Sequence, residues 1–122
     1  MARDAITVSL LAKHTANTTP AGTAINPTNG GNITGIGKAR NLTVRVTNTI
    51  TNAGKTVTFK AGANPPSQLA PLGDLVLTVP QSGDIMVALE HARFAQADGT
   101  YNVDYQSGMT GQISAIENAA NI

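Results

Sequence analysis

The chain has no cysteine and no tryptophan, and only four aromatic residues, Phe59, Phe94, Tyr101 and Tyr105, among its 122. Without thiols there can be no disulfide framework, no thiolate zinc site and no cysteine nucleophile. Four rings leave little with which to stack on bases or sugars. Charge is sparse too. Charged side chains make up 12% of the chain, against a usual share of about 25%. Eight basic residues against seven acidic ones leave a formal net charge of +1. That balance lacks the electrostatic footprint that duplex nucleic acid demands. Long apolar runs are missing as well. The stretch from Ile6 to Ala12 is broken by Thr7 and Ser9, and Asp4 stands where a secretory leader needs basic charge. It is too short to span a bilayer. The expectation is one soluble domain over residues 1–122, made in the cytoplasm, with neither membrane nor nucleic acid as partner.

Threonine is abundant: sixteen residues, with twelve glycines and six prolines as punctuation. A β-branched hydroxyl residue suits a pleated, half-wet surface, so the composition favours strands. The clearest is 42–47, where Leu42, Val44 and Val46 alternate with Thr43, Arg45 and Thr47. A period of two over six residues cannot be one face of a helix. The run from Thr56 to Ala61 repeats the pattern with Val57, Phe59 and Ala61 inward, and 49–54 between them reads as a hairpin connection. A second hairpin is expected from Leu75, Leu77 and Val79 with Ile85, Val87 and Leu89, broken at Pro80–Gly83. A third pairs Tyr101, Val103 and Tyr105 with Ile113 and Ala115. Ile6, Val8 and Leu10 form an N-terminal strand, and a short strand is expected at 92–96 around Phe94.

These seven to eight short strands predict an all-β fold, an antiparallel β-sandwich of jelly-roll type. Residues 1–5 read as an N-terminal arm, 15–40 as a long loop rich in Thr, Asn, Gly and Pro, and 117–122 as a polar tail. Within the loop only Ile25, Ile33 and Ile36 offer apolar anchors, to fasten it to the sheet or to form another short strand.

Motifs that carry chemistry are weak. Gly54-Lys55-Thr56 imitates the end of a phosphate-binding loop, but Thr49 stands where the first glycine belongs and a strand follows instead of a helix. Gly30 to Lys38 fails likewise, with Asn32 for the first glycine and Ala39 for the hydroxyl residue. The two histidines, His14 and His91, have no spacing that gathers three metal ligands. Asp98, Asn102 and Asp104 are the best oxygen cluster, yet their placement reads as turn and solvated strand face rather than a six-to-eight-oxygen cation site. No Gly-x-Ser-x-Gly elbow occurs. The reading is non-enzymatic: no catalytic, cofactor or metal residue is assigned.

The order of segments is suggestive. Leu42-Thr43-Val44-Arg45-Val46-Thr47-Asn48-Thr49 leads to Lys55-Thr56-Val57-Thr58-Phe59-Lys60-Ala61-Gly62, then to Asn64-Pro65-Pro66, Gly73-Asp74-Leu75 and Val79-Pro80. Ser82-Gly83, Leu89-Glu90-His91-Ala92-Arg93-Phe94-Ala95-Gln96-Ala97-Asp98-Gly99 and Gly108-Met109-Thr110-Gly111 complete it. Over 42–116 this resembles small head decoration (cement) proteins of tailed bacteriophages. The resemblance implies a virion structural protein on the head exterior, with the major capsid protein and further copies of itself, as a homotrimer, for partners. Contact with the capsid is expected from Met1, Ala2, Arg3, Asp4 and Ala5, and from Ile25, Ile33 and Ile36 of the long loop. The alternatives are another virion part (tail tube, head fibre or baseplate domain) or a carbohydrate-binding module, which would need its aromatic rings outside the core.

Overall fold

The computed structural model describes residues 3–11, 16, 22–34, 41–63 and 72–118. They form ten strands and one helical turn. The strands are β1 (Asp4–Thr7), β2 (Ser9–Leu11), β3 (Thr23–Ala24), β4 (Gly31–Thr34) and β5 (Asn41–Asn48), then β6 (Lys55–Phe59), β7 (Leu75–Val79), β8 (Asp84–Glu90), β9 (Tyr101–Tyr105) and β10 (Gly111–Asn118). The turn of helix, α1, is His91–Phe94. Two sheets face each other. The first runs β1-β4-β9-β6-β7; the second runs β2-β10-β5-β8, with β3 also paired to β10.

Alternation places the core where the residue pattern requires it. Leu42, Val44 and Val46 of β5, Val57 and Phe59 of β6, and Val103 of β9 are fully buried. Burying a side chain of this kind contributes about 1.5–3 kcal/mol, so the facing rows of the two sheets carry most of the stability. All four aromatic residues lie inside. Phe94 meets Phe59 edge to face, with centroids 6.5 Å apart and planes at 70°, and tilts against Tyr101 at 6.3 Å. Met109, in the connection from β9 to β10, is fully buried in the same core.

Strand partnership differs from the sequence expectation. β5 pairs with β8 and β10, whereas β6 pairs with β7 and β9. None of the three expected hairpins forms: 49–54, 80–83 and 106–110 are corners that carry the chain from one sheet to the other. Packed sheets stand about 10 Å apart, a gap these short connections span. Two of the corners are laced together. Asn48 N–H donates to Gly83 O (2.8 Å) and Ser82 N–H to Ile50 O (2.9 Å).

The sandwich is mixed rather than purely antiparallel. β1 runs parallel to β4 and β2 parallel to β10. The expected N-terminal strand is one chain that leaves the first sheet at Val8 and joins the second, closing that side of the sandwich. The 15–40 loop is partly strand, since it holds β3 and β4. Ile33 anchors β4 in the core with Ile6 beside it. The strand expected at 92–96 is instead the turn α1, whose Arg93 carbonyl accepts from Gly62 N–H at 2.8 Å. Phe94 is its core residue, as expected. Glu117 and Asn118 belong to β10 rather than to a tail, while 119–122 lie outside the described residues.

Candidate interaction surface

The outer face of the first sheet is a threonine field crossed by a ribbon of charge. Thr56 and Thr58 of β6 and Thr78 of β7 point away from the buried Val57, Phe59 and Val79, and Thr56 pairs with Thr78. Asp74, just before β7, accepts from Lys60 Nζ at 2.8 Å and from Ala61 N–H at 2.7 Å. Lys60 also lies 4.0 Å from Asp104 of β9, and Asp104 pairs with Arg3 at 2.6 Å. The signs alternate from one edge of the sheet to the other, so these charges neutralise one another. Donation from Lys60, then from Ala61 N–H, holds the Asp74 carboxyl below its ordinary range, and Asp74 in turn raises Lys60.

Of the residues expected to form an arm, Arg3, Asp4 and Ala5 are part of this surface. Arg3 Nη1 reaches across to Val103 O at 2.9 Å, and Asp4 and Ala5 are paired in β1 with Gly31 and Asn32. Of the residues expected to meet the capsid, Ile25 and Ile33 are buried, at 9% and 0% exposure. Their side chains anchor the loop from within and offer no outer surface. Met1, Ala2 and Ile36 lie outside the described residues, as do His14 and the side chain of His91.

Beside the ribbon is an open depression of about 350 Å³ lined by Asn32, Gln96, Asp98, Thr100 and Asn102. Its polar groups bind each other. Thr100 donates its hydroxyl to Asp98 Oδ1 (2.6 Å), and Asn32 Nδ2 donates to Thr100 Oγ1 and Asn102 Oδ1, both at 2.9 Å. Donation from Thr100, first by its hydroxyl and then by its N–H, lowers the Asp98 pKa. Thus the candidate oxygen cluster is divided: Asp98 closes a turn, Asn102 bridges to β4, and Asp104 belongs to the charge ribbon. Among the described residues no three His, Cys, Asp or Glu side chains gather as metal ligands, and no helix is long and apolar enough to cross a membrane.

The remaining feature is an edge. β7 ends the first sheet and β8 ends the second, joined by the Pro80–Gly83 corner. Among the described residues β7 pairs only with β6. Its sequence, Leu75-Val76-Leu77-Thr78-Val79, has no charge and no proline. Val76 is 58% exposed on the outer face, and Met86 of β8 is 64% exposed on the opposite one. Both positions were legible as the outward members of alternating runs whose apolar identity is unusual for a wet face.

Against known proteins, the chain matches no family model, no curated protein and no solved structure.

Proposed function

We propose that this chain is a non-enzymatic virion structural protein, a head decoration protein that binds the outside of an assembled phage capsid and clamps neighbouring capsomers. The observation that carries the reading is the β7 edge. Sheet proteins blunt exposed edges with charge, proline or bulges, because an unpaired row of N–H and C=O groups templates pairing with another chain. β7 has no such device within its five residues and adds exposed Val76. An edge of this kind is suited to burial against a neighbour in an assembly. The paired charges and threonine field of the first sheet are suited to facing solvent.

The order of segments that resembles phage decoration proteins supports the same reading. A protein that binds only the assembled lattice stabilises it by mass action. Cyclic association, such as the homotrimer, also covers sheet edges. Because the aromatic rings lie in the core, the carbohydrate-module alternative has no stacking platform among them.

The test is co-sedimentation of the purified chain with undecorated heads, alongside Val76→Lys. Val76 is exposed, so the substitution leaves the fold within about 0.5 kcal/mol of the original. The expected result is capture of the parent protein and much weaker capture of the variant. Protein left in the supernatant in both cases sinks the head assignment. Electron microscopy of labelled particles then decides for a tail or fibre location.

A further inference from the structure

We propose that Asn29–Gly30 is a self-modification site, at which the asparagine converts to aspartate or isoaspartate by backbone attack, and that Asp4 guards it in the folded chain. The step is the only Asn–Gly in the sequence. Glycine places no Cβ beside its own nitrogen, so that nitrogen is the least hindered of backbone nucleophiles. In the reaction Gly30 N attacks Asn29 Cγ. The new N–C bond forms as the Cγ–Nδ2 bond breaks, and ammonia leaves with the proton from Gly30 N. Water then opens the succinimide ring at either carbonyl, giving a carboxylate in place of the carboxamide. The formal net charge of +1 falls to zero.

Three contacts restrain this chemistry. The nucleophile is occupied, because Gly30 N–H donates to Asn26 O at 2.9 Å. The leaving group is occupied too, because Asn29 Nδ2 donates to Asp4 Oδ1 at 3.0 Å. Asp4 is itself held there by its N–H, which donates to Gly30 O at 3.0 Å and begins the β1–β4 pairing. Opening of β1 at Asp4 therefore frees the carboxamide and exposes the turn together. The product then opposes re-closure. A carboxylate at position 29 has no proton to donate and faces the Asp4 carboxylate across the same short distance, where like charges repel. The modification is a one-way loosening of the strand that closes this side of the sandwich.

The test follows the full chain in mildly alkaline buffer, folded and in urea, by peptide mapping of the mass gain from exchanging NH for O at Asn29. The expected result is slow conversion in the folded chain, fast conversion in urea, and a several-fold acceleration in folded Asp4→Ala but not in folded Asp4→Asn, which keeps the accepting oxygen. Equal rates for the folded parent protein and Asp4→Ala, or for the folded and unfolded parent chain, overturn the guard. A second arm serves if Asp4→Ala does not fold. Asn29→Asp should lower hydrogen-exchange protection of the β1 amides, and adding Asp4→Asn should restore it. Unchanged protection in Asn29→Asp overturns the coupling to β1.

Discussion

The Asn48 carboxamide, at the end of β5, lies 3.2 Å from the carbonyl of Pro80 at the corner between β7 and β8. The same Nδ2 approaches Val79 O and Ala53 O, each at 3.3 Å, while Oδ1 accepts from Ile50 N–H at 3.0 Å. One buried side chain at the end of β5 thus ties two inter-sheet corners to each other and to Val79 at the end of β7.

Asn48→Ala removes the donor and leaves Ile50 N–H and the corner carbonyls without this partner in a site only 1% exposed. Leaving buried polar groups unsatisfied costs about 1–3 kcal/mol. Urea unfolding should show that loss with an unchanged slope. A change well under 0.5 kcal/mol would mean that water replaces the carboxamide and that the corners do not depend on it.

Two glycines with positive φ separate backbone strain from steric overlap. At Gly99 (φ +83°) an added Cβ meets nothing within 4 Å, whereas at Gly111 (φ +143°) it would fall 1.8 Å from Thr47 O. Gly99→Ala should therefore cost only the left-handed penalty, about 1–2 kcal/mol. Gly111→Ala must also push β10 away from β5 at the Gly111–Asn48 rung. It should lower the thermal midpoint far more than Gly99→Ala does, or prevent folding. Similar midpoints for the two variants would show that β5 and β10 can separate there at little cost.

The inward rows of the sandwich were readable from alternation alone. Leu42, Val44 and Val46, then Tyr101, Val103 and Tyr105, are buried as their period of two requires. Their partners were not readable. Alternation marks the face a residue occupies and says nothing about the neighbouring strand, and a short corner serves a hairpin or a crossing to the opposite sheet equally well. β4 was hidden for a related reason. In Gly31-Asn32-Ile33-Thr34 only Ile33 is large and apolar, and Gly31 is buried because Ile6 and Tyr105 close over it. The place of Arg3 was not readable either, because its partner, Asp104, lies 101 positions away, beyond any local pattern.

The Lys60–Asp74 pair should contribute little, and its pH window is defined. Both side chains are more than a third exposed, at 39% and 36%, so Lys60→Ala should cost less than about 1 kcal/mol. The folded pKa of Asp74 lies below the ordinary 3.8, so its contribution is complete above that value and disappears as pH falls through the folded pKa. The folded pKa of Lys60 lies above 10.5, so its contribution is complete below that value and is lost as pH rises further. Between these limits the difference in stability between Lys60→Ala and the parent protein should be flat with pH. A slope near neutral pH would implicate another group.

The alkaline limit belongs to the tyrosines. Burial first, and the charge of Glu117 second, push Tyr101 from 10.0 up to about 12; burial and then Asp4 raise Tyr105 further still. Below pH 10 both the folded and unfolded chains keep the phenolic protons, and the stabilisation is complete. Above it the unfolded chain ionises while the folded one does not, so stability falls by about 1.4 kcal/mol per pH unit for each tyrosine. Tyrosinate absorbance should therefore rise in one cooperative step that coincides with loss of the β-sheet circular dichroism signal. Tyr101→Phe should remove about half of the slope, because one of the two ionising groups is gone. A smooth titration centred near pH 10 in protein that is still folded would show that water reaches both rings, contrary to their place in the core.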